Sequence, residues 1–547
     1  MSLETSVNIA SHLPAMARRQ PDNLAVTLWS GESLTFKELD ASSGTLARGL
    51  ESVGIGRGVR TVLMVKPSLD FFTLTFALFK CGAVPVVVDP GMGIKNLGVC
   101  LAEAEPEAFI GIPKAHAARR LFKWAKGTIR TNVTVGRRWF WGGYTLDEVS
   151  LRGRAPSVDG DYVLATTAAD ETAAILFTSG STGVPKGAVY THGNFSAQVE
   201  LIRETYAIKP GEIDMPTFPL FALFDPALGM AAVIPDMDAS RPADVRPENI
   251  IEPILRHGVT NMFGSPALID KVGRYGEAHG VKLPSLERAI TAGAPVSARV
   301  LERFSKMLSP EAQVFTPYGA TESLPVCSIG STEVLSETRE KTDRGAGICV
   351  GRPVKGMTVE VIQIREEPIN EWDEALRVPR GEVGEIAVKG PVVTRSYLNR
   401  EAATKLAKIA VAGSTDFYHR MGDLGYFDDE GRLWFCGRKS HRVVSSNETY
   451  YTVPCEGVFN AHPKVYRSAL VGAKHLSEIE PVLVVELEAG ARESDGLRQE
   501  LLELGAAKPH TKRIRTLLFH ENLPVDIRHN SKIFREKLAV WATERLR

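Results

Sequence analysis

Residues 174–194 read AILFTSGSTGVPKGAVYTHGN, and this stretch guides the interpretation of the whole chain. Its centre, Thr178–Gly187, combines hydroxyl side chains, glycines and a single lysine, Lys186. Apolar runs at Ala174–Phe177 and Ala188–Thr191 predict two short buried strands on either side. Such a loop offers backbone N–H groups, hydroxyl donors and one cation, as a polyphosphate requires. A flexible glycine–serine linker is the alternative, and the apolar flanks and the Pro-Lys-Gly exit disfavour it.

Two common phosphate motifs are excluded here. The Walker loop needs glycine directly before its lysine, whereas Pro185 precedes Lys186, and no G-x-G-x-x-G opens a helix. The stretch instead resembles the phosphate-binding signature of the acyl-adenylate-forming superfamily, which includes acyl-CoA synthetases, peptide synthetase adenylation domains and luciferases. The resemblance implies ATP as cosubstrate, with its phosphates bound by Thr178, Ser179, Gly180, Ser181, Thr182, Gly183 and Lys186.

Length, charge and cysteine usage narrow the class of protein. A chain of 547 residues predicts two or more domains. The chain has 65 basic and 65 acidic residues, so its total charge does not indicate binding to nucleic acid or to an anionic membrane. Six scattered cysteines without a C-x-x-C pair argue against a zinc site and fit a reducing cytoplasm. With no signal-peptide pattern and no uninterrupted apolar span, we expect a cytoplasmic protein without an integral membrane segment.

The first part of the chain alternates strand and helix patterns. A buried strand is predicted at Val59–Val65, a helix from Ser68 and a further strand at Ala83–Val88. The alternation recurs near Pro106–Ile112 and Val259–Phe263. This spacing predicts an α/β fold with a largely parallel sheet.

An amphipathic helix is predicted directly after the phosphate loop, with Asn194 as its N-cap. His192 just before it is either a ligand or base, or a histidine that satisfies the loop backbone. Further on, Thr217–Ile234 is almost wholly apolar, with Asp225 as its only charge. The superfamily resemblance implies that this region lines an acyl pocket, and core packing is the alternative.

Two further motifs carry the nucleotide prediction. The small-residue turn TAGAP, residues 291–295, follows a predicted strand and lets a flat ring approach the backbone. In TPYGATE, residues 316–322, an aromatic side chain can stack on adenine and a carboxylate can hold Mg²⁺. The resemblance implies an adenine site formed by Gly293, Ala294, Pro295, Tyr318 and Gly319. It also implies a phosphate contact from Thr321 and a Mg²⁺ ligand in Glu322.

Glycine-punctuated strands at Gly345–Pro353 and Gly381–Gly390 predict a smaller β-rich lobe. Asp423 follows Gly422 in a tight turn, where its carboxylate can accept hydrogen bonds from ribose hydroxyls. An Asx-turn is the alternative for Asp423, but Arg438 follows at the spacing of the superfamily, which implies a ribose site formed by both residues.

The C-terminal region resembles the mobile small domain of the superfamily, which implies domains at 1–438 and 439–547. The sequence HNSKIFR, residues 529–535, is similar to the Ser-Gly-Lys-Ile-x-Arg motif, with Ser531 in place of glycine. The match implies that Lys532 approaches the α-phosphate, so the implied catalytic residues are Lys532, Glu322 and Thr182.

Several positions depart from the common superfamily pattern. Ser440 stands where many members have Asp or Lys, Val444 replaces a lysine, and Asn447 replaces a loop glycine. The sequence of residues 318–326, 342–353 and 523–533 most resembles that of the olefin β-lactone synthetases of bacterial hydrocarbon synthesis. That resemblance implies that the protein adenylates a long 2-alkyl-3-hydroxy acid, whose own 3-hydroxyl then closes a β-lactone ring. It also implies assembly with other enzymes of the olefin pathway, and we expect no nucleic-acid partner. The alternatives are a long-chain acyl-CoA ligase or fatty acyl-AMP ligase, and a catalytically silent binding relative.

Overall fold

A computed structural model describes residues 7–154, 161–177, 185–218, 220–446, 448–475, 478–526 and 532–546. Much of the predicted phosphate site lies outside the described residues, namely Thr178, Ser179, Gly180, Ser181, Thr182 and Gly183. Asn447 and Ser531 also lie outside them. The roles predicted for these residues therefore stay predictions.

The described strands are, in chain order, β1 (Leu24–Leu28), β2 (Ser33–Thr35), β3 (Arg60–Met64), β4 (Val84–Val87), β5 (Ala108–Gly111), β6 (Thr131–Thr134), β7 (Tyr144–Thr145), β8 (Thr172–Phe177), β9 (Gly187–Thr191), β10 (Ile213–Pro216), β11 (Ala231–Ile234), β12 (Asn261–Phe263), β13 (Arg288–Ile290), β14 (Gln313–Phe315), β15 (Tyr318–Ala320), β16 (Ser323–Ser328), β17 (Ile348–Pro353), β18 (Thr358–Ile362), β19 (Gly384–Lys389), β20 (Lys408–Ala410), β21 (Phe417–Phe427), β22 (Leu433–Arg438), β23 (Val443–Val444), β24 (Thr449–Tyr450), β25 (Val465–His475), β26 (Glu478–Leu487) and β27 (Thr516–Phe519).

The described α-helices are α1 (His12–Arg19), α2 (Phe36–Ser52), α3 (Leu69–Lys80), α4 (Ile94–Ala104), α5 (Pro113–Phe122), α6 (Leu146–Gly153), α7 (His192–Tyr206), α8 (Asp225–Leu228), α9 (Glu248–His257), α10 (Pro266–His279), α11 (Ala298–Ser305), α12 (Ser331–Glu333), α13 (Arg339–Asp343), α14 (Glu401–Ala407), α15 (Thr452–Asn460), α16 (Asp495–Ala506) and α17 (Arg535–Arg545).

Two largely parallel sheets form the first part of the molecule. The first sheet has the order β7-β6-β5-β3-β4-β8-β9 and is parallel except for the β8–β9 hairpin. The second has the order β14-β13-β12-β10-β11-β1-β2, with β2 antiparallel to β1. These sheets confirm the predicted α/β class, and the β8–β9 hairpin confirms the two strands predicted around the phosphate loop.

The third sheet is antiparallel and follows the order β15-β16-β17-β22-β21-β19-β18, with β20 added beside β21. It confirms the predicted β-rich lobe, since β17 and β19 lie within the two glycine-punctuated segments. After it come the β23–β24 pair and the smaller sheet β25-β26-β27. Among the described residues, each helix is either too short or too polar to cross a lipid bilayer.

The start of α7 corrects one prediction, because Thr191 rather than Asn194 is its N-cap. The Thr191 hydroxyl accepts from the Asn194 N–H at 3.1 Å, and the Asn194 side chain accepts from the Thr191 N–H at 3.1 Å. This reciprocal capping box satisfies two backbone donors and begins the helix three residues earlier than predicted. The Asn194 amide is then free to donate to the carbonyl of Pro391 at 2.8 Å, which ties α7 to the third sheet's lobe.

Asp225, the only charged residue of the apolar segment, lies beside Asp214, and both carboxyl groups are buried. Burial raises the pKa of Asp214 to about 7, and burial together with Asp214 raises the pKa of Asp225 well above its ordinary value. Asn261 donates a hydrogen bond to Asp214. The pair therefore retains a proton near neutral pH, which lowers the charge buried in this apolar region.

We expect Asp225→Asn to flatten the dependence of stability on pH. Burial raises the folded-state pKa of both carboxyl groups, so the folded protein keeps protons that the unfolded chain releases above about pH 4. Asp214 keeps its proton up to about pH 7, and Asp225→Asn removes the second of these protons. The stabilisation is complete at the acidic end and is lost as the pH rises, with a slope of about 1.4 kcal/mol per pH unit for one proton. Urea unfolding at pH 5 and pH 7.5 should show a smaller loss for Asp225→Asn than for the native protein. Asp429→Asn, an exposed control, should follow the native curve, and an unchanged slope in Asp225→Asn would contradict the proton assigned to Asp225.

Candidate nucleotide and catalytic site

Three of the predicted adenine residues, Gly293, Ala294 and Pro295, follow β13 at the carboxyl end of the second sheet, whereas Tyr318 and Gly319 lie on β15 of the third sheet. Strands β13 and β14 are parallel neighbours with Ile290 opposite Phe315, so their carboxyl ends meet at the same edge. The N–H of Thr291 continues this contact to the carbonyl of Phe315 at 2.9 Å. Gly293 has φ +96°, a conformation that glycine adopts without strain. The structure thereby brings the Gly293–Pro295 turn beside the chain that leads to Tyr318, and such edges are where open α/β sheets bind ligands.

Tyr318, Asp423 and Arg438 form one connected polar group. The Tyr318 hydroxyl donates to Asp423 Oδ2 at 2.8 Å, and Arg438 Nη1 donates to Asp423 Oδ1 at 2.9 Å. Asp423 and Arg438 are opposite each other in the β21–β22 ladder, which fixes their separation. The Asp423 charge raises the pKa of Arg438, so the guanidinium keeps its proton. The structure therefore joins three residues that the sequence assigned to adenine and ribose binding.

Tyr397 connects the predicted Mg²⁺ ligand to the lysine of the phosphate loop. Its hydroxyl donates to Glu322 Oε1 at 2.6 Å, and Lys186 Nζ lies 5.0 Å from the centre of its ring. Burial and the Glu322 charge raise the pKa of the Tyr397 phenol, which therefore keeps its proton and remains a donor. Glu322 and Lys186 are 136 positions apart in sequence, and both are half-buried around this single tyrosine.

Backbone contacts hold Tyr397 in place from both sides. The Leu398 N–H donates to the carbonyl of Gly187 at 2.8 Å, and the Val189 N–H donates to the carbonyl of Ser396 at 3.1 Å, so the segment lies along β9. On the other side, the Thr394 N–H donates to the carbonyl of Glu322 at 2.9 Å. The preceding residue Thr321 accepts a hydrogen bond from the Tyr190 hydroxyl through its carbonyl. The exit of the phosphate loop and the Glu322 turn are thus linked directly.

Sequence reasoning missed several residues of this site. Lys408 donates to the carbonyl of Thr394, and burial lowers its pKa to about 7 despite the neighbouring Glu322 charge. His419 is buried near Lys408, Lys186 and Arg438, and burial with the charge of Lys408 holds its pKa well below the ordinary value. Tyr397 stands in the tripeptide Tyr397-Leu398-Asn399, whose resemblance to a superfamily element could have indicated it, whereas nothing in the local sequence distinguishes Lys408.

Helix α17, which follows Lys532, lies beside His441, three residues after Arg438. Lys532 and Asp526 exchange contacts: the Asp526 N–H donates to the Lys532 carbonyl at 3.0 Å, and the Lys532 N–H to Asp526 Oδ1 at 3.3 Å. Helix α17 begins three residues later, and Glu536 on it lies 3.4 Å from His441 Nε2. Burial, then the charges of Arg535 and Arg438, lower the pKa of His441 to about 4. Contact of Lys532 with an α-phosphate stays a prediction.

His192 occupies a buried position at the start of α7. Its Nδ1 accepts a hydrogen bond from the Ile9 N–H at 3.2 Å, and burial lowers its pKa to about 4. This arrangement favours the structural interpretation of His192, since a nitrogen that already accepts a backbone hydrogen bond is unsuited to take a substrate proton.

Glu322 fits the kind of site that Mg²⁺ uses when phosphates supply most of its ligands. Within the described residues, no cluster of three or more His, Cys, Asp or Glu side chains could hold a metal ion alone. Mg²⁺ commonly takes one or two carboxylates and completes its shell with water and phosphate oxygens. One half-buried carboxylate held by Tyr397, beside Lys186, meets that requirement.

The α/β fold and this group of residues define an enzyme that binds a nucleotide. A family model described as "AMP-binding enzyme" matches residues 13–398, and the chain belongs to that family. It is 50% identical to the olefin beta-lactone synthetase of Xanthomonas campestris pv. campestris, over 99% of this chain and 98% of the relative. It is 49% identical to the protein of the same name from Stenotrophomonas maltophilia, over 98% of each chain. The predicted superfamily resemblance is confirmed.

A solved structure supports the fold independently. The amide bond synthetase McbA from Marinactinospora thermotolerans superposes with a TM-score of 0.81, at 20% identity, over 98% of this chain and 99% of that one. At this identity the match establishes only the fold. It extends across both the largely parallel sheets and the C-terminal α+β region.

Tyr397→Phe should slow pyrophosphate release about 10- to 100-fold, because it removes a hydrogen bond to a charged group worth about 1.5–3 kcal/mol. The ring that faces Lys186 remains, so the loss should be partly recovered at high Mg²⁺ if the hydroxyl positions Glu322. Initial rates across a Mg²⁺ titration measure this effect.

Tyr426→Phe is the matched control, since the hydroxyl of Tyr426 on β21 likewise donates one hydrogen bond, to the carbonyl of Ala346 at 2.9 Å. It should leave the Mg²⁺ dependence unchanged. An unaltered rate in Tyr397→Phe would show that the Tyr397–Glu322 contact has no part in catalysis.

Proposed function

We propose that this protein adenylates a long-chain 2-alkyl-3-hydroxy acid with ATP and then closes it to a β-lactone, releasing pyrophosphate and AMP, in bacterial olefin synthesis. The observation that carries the adenylation is the convergence of Lys186 and Glu322 on Tyr397, beside the Tyr318–Asp423–Arg438 group. Identity of 50% with an olefin beta-lactone synthetase across nearly the whole chain supports the second step.

The adenylation step joins two groups that repel each other. A carboxylate must attack an α-phosphate surrounded by negative oxygens, so neutralising charge matters more than covalent assistance. We assign Lys532 to lie between the carboxylate and the α-phosphate. Lys186, with the hydroxyls of Thr178, Ser179, Ser181 and Thr182 and the backbone of Gly180 and Gly183, would hold the departing pyrophosphate. Thr321 would contribute a further phosphate contact.

We assign the remaining nucleotide contacts to the Gly293–Pro295 turn, Gly319 and the Tyr318–Asp423–Arg438 group. Gly293, Ala294, Pro295 and Gly319 would leave a flat space for adenine, with Tyr318 at its border. Asp423 has one oxygen facing Tyr318 and one facing Arg438, and we assign this group to the ribose hydroxyls. Glu322 would hold Mg²⁺, which when bound offsets phosphate charge.

In the second step the 3-hydroxyl oxygen would bond to the acyl carbon. The bond from that carbon to the AMP oxygen breaks, AMP leaves with the electron pair, and the hydroxyl proton passes to a base. The nucleophile belongs to the same molecule as the anhydride, so no thiol has to be brought in. The departures at Ser440 and Val444 accord with this, and Val444 is 52% exposed on β23.

We assign the acyl chain to the aromatic region that contains Phe221. Its ring centre lies 4.3 Å from that of Phe263 and 5.4 Å from that of Phe218. The proton retained by Asp214 and Asp225 reduces charge near this region. An apolar lining of this kind suits an alkyl chain.

We also propose the domain boundary after Arg438, with 1–438 as the adenylation domain and 439–547 as a mobile domain that carries Lys532. A cytoplasmic location is supported by six free cysteines, all buried. Association with other enzymes of olefin synthesis belongs to the same proposal.

Products formed without coenzyme A test the second step. Incubation with ATP, Mg²⁺ and a 3-hydroxy long-chain acid should yield AMP, pyrophosphate and a β-lactone in equal amounts. The matched acid that lacks the 3-hydroxyl should give an acyl-adenylate and no lactone. Mass spectrometry of the extracted products distinguishes them. If AMP appears only after coenzyme A is added, with a thioester as product, the protein is an acyl-CoA ligase.

Lys532→Ala should lower the rate of adenylation by two to three orders of magnitude, roughly the loss expected for one positioned transition-state charge. Lys537→Ala provides a control in the same segment, because Lys537 is exposed and lies over the Phe534 ring. Pyrophosphate release measures both variants. Equal rates in native protein and Lys532→Ala would remove Lys532 from the mechanism.

A further inference from the structure

A basic segment departs from the balanced charge of the whole chain. From Ala108 to Leu146 there are eight Lys or Arg residues and not one Asp or Glu. The exposed basic residues here are Lys114, Arg120, Lys123, Lys126, Arg130, Arg137 and Arg138. Arg138 pairs with Glu148 just beyond the segment, at 2.8 Å. The surface around the end of α5 and the loop after β6 is therefore locally cationic.

Large apolar side chains are exposed within the same surface. Leu121 is 74% exposed and Phe122 43% exposed at the end of α5, while Trp139 is 53% and Phe140 78% exposed in the following loop. Together with Lys123 and Lys126 we call these residues the basic aromatic patch. Grouped exposed side chains of this size mark interaction sites in folded proteins.

The patch is held by buried neighbours. The Trp141 side chain is buried, and its Nε1 donates to Thr134 Oγ1 at 2.9 Å. Its ring stacks on His116 with centres 5.2 Å apart, while the rings of Trp139 and Phe140 each lie 5.4 Å from it. The buried Trp141 side chain therefore anchors the loop that carries the exposed Trp139 and Phe140.

The two halves of the patch are joined. Arg120 Nη2 donates to the carbonyl of Trp141 at 3.2 Å, which ties the end of α5 to the loop. Phe122 stacks on the buried Trp124 with ring centres 5.6 Å apart. The two segments that carry the exposed apolar side chains are thus tied together, and each is anchored on a buried tryptophan.

We infer that the basic aromatic patch docks the protein on the surface of an anionic lipid bilayer. Trp and Phe favour the boundary between headgroups and acyl chains, and exposed Leu adds apolar area for shallow insertion. Lysines around them gain from the negative surface potential of anionic lipids. The absence of acidic residues between Ala108 and Leu146 removes local repulsion from such a surface. The inference does not depend on the reaction assigned above, because the patch contains none of the residues placed in the nucleotide site.

Sedimentation with lipid vesicles tests the docking, with no nucleotide or acid present. The native protein should sediment with vesicles of phosphatidylglycerol and phosphatidylcholine much more than with pure phosphatidylcholine, and less at high salt. Lys123→Gln/Lys126→Gln should weaken binding by about 25-fold, at about fivefold per lysine. Lys37→Gln/Lys512→Gln removes the same charge from exposed sites elsewhere and should bind like the native protein.

Trp139→Ser tests the apolar contribution and should lower the binding that remains at high salt. Trp29→Ser is its control, because Trp29 is 60% exposed at the β1–β2 turn, outside the patch. Thermal unfolding checks that each variant folds. Absence of native binding to anionic vesicles, or equal binding by Trp139→Ser and Trp29→Ser, would overturn the inference. A fall in molecular mass of Trp139→Ser in analytical ultracentrifugation would also overturn it, since the patch would then be an interface between copies.

Discussion

The hydrogen bond from Tyr397 to Glu322 determines how the parts of the site are arranged. Tyr397 belongs to a segment that pairs with β9 at the exit of the phosphate loop, through the bridge between Ala188 and Tyr397. Its side chain extends to the β15–β16 turn, which carries Glu322. One residue therefore joins the first sheet to the third at the place where phosphates would bind. A displacement of either sheet would change the separation of Lys186 and Glu322.

Burial controls the charge of the same region. Lys186, Lys408, His419 and Arg438 lie around Glu322 and Asp423, and an excess of cations would be costly without a bound polyphosphate. The low pKa of His419 and the pKa of about 7 for Lys408 limit that excess. Arg438 stays charged because Asp423 faces it directly at 2.9 Å. The site thus keeps a constant positive charge on Arg438, where a carboxylate compensates it. The charge of Lys408 changes near neutral pH because that side chain is buried.

Sequence patterns predicted those features that depend on neighbours along the chain. The strands around the phosphate loop, the parallel alternation and the β-rich lobe all follow from local periodicity and glycine placement. The N-cap of α7 was misplaced because Thr191 and Asn194 are both good capping residues and act as a reciprocal pair. Lys408 and His419 could not be predicted, since their shifted pKa values arise from burial by distant segments. Asp423 and Arg438 were assigned together from the superfamily resemblance, and the structure places them opposite each other in the β21–β22 ladder. Their role in ribose binding stays a prediction.

Lys439 and Arg442, just after Arg438, form ion pairs that bear on how adenylation and ring closure could take place in one site. Lys439 Nζ lies 3.3 Å from the buried Glu385 and donates to the carbonyl of Arg365 at 2.9 Å. Arg442 pairs with Glu366 at 2.6 Å. Both contacts tie the segment around Ser440 to the third sheet's lobe. In the proposed reaction the second nucleophile is already part of the bound acid, so no new group has to enter after pyrophosphate leaves. The ion pairs of Lys439 and Arg442 therefore need not break between the two steps, and the mobility proposed for residues 439–547 is not required for the second one.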